Sequence, residues 1–154
     1  MSKKVSYVSV VLAVVCLLSV FVTGCGGGGS GSGGAVADVS AGDYPDGVYT
    51  GKSSEDENGA YGEVTITIED GKVTDCAYVT WQKDGSIKDE DYGKVNGEIS
   101  NQDYYDKAQL AVEAMSQYAS QFAETGDLAK VDAVSGATNS YNQFSEAVAD
   151  ALKG

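Results

Sequence analysis

The residues of this chain best equipped for chemistry lie near its C-terminus, in Asp132-Ala133-Val134-Ser135-Gly136-Ala137-Thr138-Asn139-Ser140. The centre of this stretch, Ser135-Gly136-Ala137-Thr138, sets hydroxyls on a loop whose other residues have almost no side chain. A helical pattern follows at once. Ser140, with Gln143 three positions later, has the form of a capping box. Phe144, Val148 and Leu152 then recur at four-residue spacing, the apolar stripe of one helix face. The sequence therefore predicts Thr138 on a bare loop just ahead of a helix N-terminus, where unpaired N–H groups favour an anion. A phosphate ester on the Thr138 hydroxyl suits that position. A Gly-containing loop closed by a Ser cap, with no chemistry at all, fits the same residues.

Other chemistries are excluded by what is missing. The chain has no His, so zinc, haem and copper sites lose their commonest ligand, and no Ser-His or Cys-His pair exists for hydrolysis. Acidic runs such as Asp89-Glu90-Asp91 lack the spacing of an EF-hand calcium loop. The net charge is −13 with no Arg among the 10 basic residues. Nucleic acid and anionic lipid headgroups would repel such a surface, which argues against both as partners. If this domain does chemistry, a bound organic cofactor must carry it.

The N-terminal part reads as a leader. Lys3 and Lys4 precede an apolar run from Val8 to Val22 that is too short for a comfortable membrane span. The run ends in Val22-Thr23-Gly24-Cys25, which resembles a bacterial lipobox and implies a lipidated Cys25 after cleavage of residues 1–24. Without Lys3 and Lys4 the mature charge becomes −15. Gly26 to Gly34 holds only Gly and Ser, a flexible tether; extended to Gly42, it has a root-mean-square span on the order of 20–25 Å. These features predict an extracytoplasmic, lipid-anchored protein held to a bilayer. With Cys16 lost in the leader and Cys25 lipidated, Cys76 is a lone thiol and no internal disulfide can form. It reads as a small buried hydrophobe on a strand.

The elements that must position the Thr138 loop lie in residues 43–154, enough for one domain with a modest core. Val48-Tyr49-Thr50 is strand-like after a Pro-Asp-Gly turn. Glu63 to Glu69 alternates, with Val64, Ile66 and Ile68 on one face; Asp70-Gly71 predicts a hairpin turn. The return strand, Val73 to Trp81, is expected to carry Val73, Ala77, Val79 and Trp81 on one face, and Asp84-Gly85 to reverse the chain again towards Ile87. Ser53 to Gly59 and Lys88 to Gly97 read as irregular. Ser100 to Glu124 is a long helix with Ala108, Ala111, Val112, Met115, Tyr118, Ala119 and Phe122 along one side, capped by Ser100 or Asn101 and closed by Gly126. The expected fold is α+β: a small antiparallel meander packed against that long helix and a C-terminal helix.

The pattern D-x-x-S-G-A-T-x-S, carried by Asp132, Ser135, Gly136, Ala137, Thr138 and Ser140, resembles the flavinylation motif of the FMN-binding domain family. Asp46-Gly47-Val48-Tyr49-Thr50-Gly51 resembles the usual opening of the same domain. The family includes flavin subunits of Rnf complexes and sodium-pumping NADH:quinone oxidoreductases, and Gram-positive electron-transfer lipoproteins. The resemblance implies covalent FMN, joined to Thr138 through a phosphodiester by an FAD-dependent flavin transferase. It also implies a slim loop at Gly136 and Ala137 that enters the transferase. The phosphate would be held by Ser135 or Ser140 and the helix amides. Trp81, Tyr78, Tyr92 and Tyr141 are candidates for aromatic cover of the ring, although each fits a plain packing role better. The chain lacks the Pro-Gly-Leu-Gly segment of the pump subunits, which favours the stand-alone lipoproteins. The implied electron donor is a membrane quinone-linked dehydrogenase or another redox partner. A non-redox surface lipoprotein that binds a small ligand or a protein partner is the rival reading, and only the two motifs separate them.

Overall fold

Two residues with left-handed backbone, Asp70 (φ 52°) and Gly71 (φ 69°), turn the chain between its two longest strands, the pairing that a two-residue hairpin loop requires. In the computed structural model, which describes residues 39–153, these strands are β2, Tyr61–Glu69, and β3, Lys72–Trp81. The leader, Cys25 and the Gly/Ser tract lie outside the described residues. Strand β1, Gly47–Lys52, pairs antiparallel with β2, so the sheet has the order β1-β2-β3. Val64, Ile66 and Ile68 of β2 are fully buried, as the alternation requires. The second turn forms at Gly85 (φ 85°), but beyond it only a bridge between Trp81 and Ile87 is made, not a fourth strand.

The inward face of β3 differs from the expected one. Tyr78 and Thr80 are buried and Cys76 packs against the core, whereas Ala77, Val79 and Trp81 lie on the opposite, half-buried face. The cause is a register shift: Thr67 pairs with Asp75 but Ile68 pairs with Val73, so Thr74 is left over. A single extra residue reverses the parity of everything after it. Val73, ahead of the bulge, still packs inward. Burial pushes the Cys76 thiol up to about 12, with the Asp75 charge adding to the effect, in line with an unreactive packing role.

Both helices cover the same sheet face. Helix α1, Gln102–Thr125, starts where the Asn101 side chain accepts from the Tyr104 amide, and ends at Gly126 (φ 64°), whose N–H donates to Phe122. Its Ala108, Met115, Tyr118, Ala119 and Phe122 are buried, and it packs on β3. Helix α2, Thr138–Ala151, packs on β1 and β2 and buries Phe144 and Val148, with Leu152 just beyond its end. Phe144 is the hub of the core. Its ring lies edge-on to Tyr78 at 5.1 Å and to Phe122 at 6.1 Å, and tilted against Tyr118 at 5.9 Å.

These contacts give the domain two ends. At one, the first described residues are stitched to the end of α1: Ala41 N–H donates to Gly126 at 2.7 Å and Leu128 N–H to Val39 at 3.1 Å. The β2–β3 turn shares that end, with Gly71 N–H donating to the Asp46 carboxylate. At the other gather Ala60, the residues after Trp81, the start of α1 and the start of α2.

Candidate functional site

The 131–137 segment is held from beneath by side chains of α1. The hydroxyl of Tyr118, itself fully buried, accepts from Val134 N–H at 3.0 Å and donates to the Ala137 carbonyl at 3.3 Å. The Gln121 side chain accepts from Asp132 N–H at 2.7 Å. Tyr118 thus serves the core and the loop together, a role that its place in an apolar stripe does not disclose. Gly136 makes the turn with φ 89°, and a Cβ there would come within 3.0 Å of Leu110, so both conformation and space favour glycine.

Tyr118→Phe is expected to cost about 1–3 kcal/mol, because it strands a partly buried N–H while leaving the ring in place. The melting temperature and the exchange rate of the Val134 amide check this; a wild-type melt with unchanged exchange would refute the anchoring role.

The start of α2 departs from the expected capping box. Helical structure begins at Thr138, with Ala137 in the cap position and no side chain capping it. Ser140 is therefore the third helical residue, buried, and its carbonyl accepts from Tyr78 Oη at 2.9 Å. Gln143 is drawn elsewhere: its Nε2 donates to the Ala60 carbonyl at 2.8 Å, and its Oε1 has no partner among the described residues. The helix starts one turn early because Ala137 can be buried there, at 3 % exposure, where a polar cap would be desolvated.

One consequence is chemical. The first amide of α2 to find a backbone acceptor is that of Tyr141, on Ala137 at 3.1 Å. The N–H groups of Thr138, Asn139 and Ser140 are left for solvent or ligand. Thr138 is exposed, as are Ser135, Gly136 and Asp132, whereas Ala137 and Ser140 are buried. The structure therefore presents a free Thr hydroxyl at a helix N-terminus whose partial positive charge is unspent.

Beside Thr138, Asn139 borders two grooves. One, about 440 Å³, runs between the Ser54–Asn58 loop and Asn142, Gln143 and Glu146. The other, about 510 Å³, lies between Asn58 and Ala60, the Gln82–Lys88 turn, Tyr92 and Tyr104. Gln109 fixes the wall of the second by donating to the carbonyls of Asp89 and Tyr92. Among the four candidate aromatics only Tyr92 lines a groove next to Asn139. Tyr78 is a core residue with its pKa raised by burial. Tyr141 packs edge-on to Tyr118, and Trp81 is half-buried with its indole N–H unpartnered among the described residues. Tyr104, absent from the expected set, joins Tyr92 because the first turn of α1 faces the 89–92 turn. No cluster of metal-ligating side chains occurs among the described residues.

The FMN-binding domain family matches residues 59–153, a span that contains β2, β3, both helices and the Thr138 loop. The crystal structure of the CPE2226 protein from Clostridium perfringens is similar, with a TM-score of 0.53 and 24% identity over 69% of this chain and 84% of that one. At that identity the likeness is one of fold. No curated protein matches the sequence.

Proposed function

Because this chain belongs to the FMN-binding domain family, we propose that it is an extracytoplasmic electron carrier that holds FMN covalently on Thr138 and is anchored to a membrane through Cys25. The observation that carries the reading is the Thr138 hydroxyl itself: exposed, at the first position of α2 directly after a slim turn, and beside three amides that nothing caps. Those residues fit a phosphodiester. The amides of Thr138, Asn139 and Ser140 suit phosphate oxygens, Ser135 offers a second exposed hydroxyl, and Gly136 and Ala137 leave room for a flavin transferase to reach the Thr oxygen. FMN bound there would supply one- and two-electron chemistry. The chain's own part is to fix the attachment point: Tyr118 and Gln121 hold the loop against α1, and Tyr78 ties the first turn of α2 to β3. The leader, the lipobox and the Gly/Ser tether support export and anchoring. A covalent link suits a site outside the cytoplasm, where a dissociated cofactor would be lost. The electron donor in this reading is a membrane quinone-linked dehydrogenase or another redox partner.

The test is flavin fluorescence of denatured protein from membranes of cells that export it together with an active flavin transferase. Wild type is expected to give a fluorescent band in the membrane fraction whose labelled peptide maps to Thr138. Thr138→Ala is expected to lose that label entirely while melting as wild type does, since an exposed hydroxyl contributes little to the core. A variant that stays labelled would reassign the acceptor; a dark wild-type band would favour the non-redox lipoprotein.

A further inference from the structure

Resting on that reading, we propose that the flavin ring lies in the groove between the Asn58–Ala60 segment, the Gln82–Lys88 turn, Tyr92 and Tyr104, with the Lys88 ammonium as the positive charge that favours its reduced form. Both grooves border Asn139, so attachment at Thr138 alone does not choose between them. Their walls do. The first is lined by Glu55, Asp56, Glu57 and Glu146 with no aromatic residue, a poor surface for a flat apolar ring and a repulsive one for a group that gains electrons. The second sets Lys83 and Lys88 against Asp56 and Asp84, so its charges balance where the first groove's are all negative, and it adds two tyrosines in about 510 Å³, within the range of small-molecule sites.

Lys88 stands apart from the other lysines. Lys52, Lys94, Lys130 and Lys153 each pair with a carboxylate within 4 Å. Lys72, Lys83 and Lys107 are exposed. Lys88 is half-buried, forms no such pair among the described residues, and lies 5.2 Å from the centroid of the Tyr92 ring. Burial lowers its pKa and Asp56 partly restores it. In a chain of charge −13, a group that becomes more negative on reduction is disfavoured by the overall field. A nearby cation in a partly desolvated groove counters that field more effectively than an exposed one. Tyr92 and Tyr104 supply the faces against which a flat ring stacks.

The experiment uses protein exported with its transferase, and compares wild type with Lys88→Gln, Tyr104→Leu and, as a control at the opposite end of the domain, Lys72→Gln. Label that survives denaturation is checked first. In folded protein, Lys88→Gln is expected to shift the flavin midpoint potential to more negative values, with Lys72→Gln at the wild-type value. Tyr104→Leu is expected to brighten flavin fluorescence, because a stacked tyrosine quenches it, and Tyr104 is exposed enough for that variant to fold. Labelled variants that match the Lys72→Gln control in both potential and fluorescence would overturn the groove assignment and leave the attachment reading standing. An unlabelled wild type, with the transferase active, would overturn both.

Discussion

Gly51→Ala is expected to dislodge α2 from the sheet. A Cβ at Gly51 would overlap the Ala147 carbonyl and the Ala151 backbone, and none of those atoms can rotate away as a side-chain tip can. Overpacking a core typically costs about 1–3 kcal/mol; against rigid backbone the expected cost is at least about 3 kcal/mol, the upper end of that range. The contacts beside it would fail together, because Lys52 N–H donates to Asp150 and Ser54 to Glu146, both on α2. Since α2 opens with Thr138, the variant is also expected to label poorly, in contrast with Thr138→Ala, which loses the label but keeps the fold. Urea or thermal melts measure the first effect and in-gel fluorescence the second. A Gly51→Ala protein with a wild-type melt would show that α2 does not sit so close to β1.

Phe144→Ala is expected to cost about 3–5 kcal/mol, as truncation of a fully buried Phe generally does. The environment places it towards the upper end. Its ring is in contact distance of three other aromatics, from β3 and α1, and a cavity at that junction cannot close without moving Tyr78 and Tyr118. Those two hydroxyls hold Ser140 and the 134–137 turn, so the loss would also loosen the Thr138 loop. At about 4–8 °C per kcal/mol for small domains, the melt should fall by more than about 12 °C. A drop within a few degrees of wild type would refute the packing described for α2.

Much of the architecture was legible because it is written locally. Asp70-Gly71 and Gly126 need left-handed backbone and announce it; β2 alternates, and α1 carries a stripe at helical spacing. What escaped depends on contacts between distant segments. The inward face of β3 was misread because the bulge at Thr74 leaves no compositional mark, and one residue of slip exchanges Val79 for Tyr78. Ser140 and Gln143 have the letters of a capping box, yet tertiary demands took both: burial for Ser140, and the Ala60 carbonyl for Gln143. The Asp46-to-Gly51 opening was recognised as a pattern, and the physical need for its last glycine emerged only with α2 lying across it. The motif is what singles out Thr138 as the proposed attachment residue. The groove beside it, built from Asn58, Lys88, Tyr92, Tyr104 and Asn139, has no contiguous signature to find.

The stitching of Val39 and Ala41 to the far end of α1 also fixes where the domain can be held. Tyr104 and Gly126 are separated by nearly the whole of α1, about 33 Å at 1.5 Å per residue. Any restraint that reaches the domain through its N-terminal side therefore grips it by one tip, while Asn139 and its grooves occupy the other. A restraint there leaves Asn139 and both grooves clear at the opposite end.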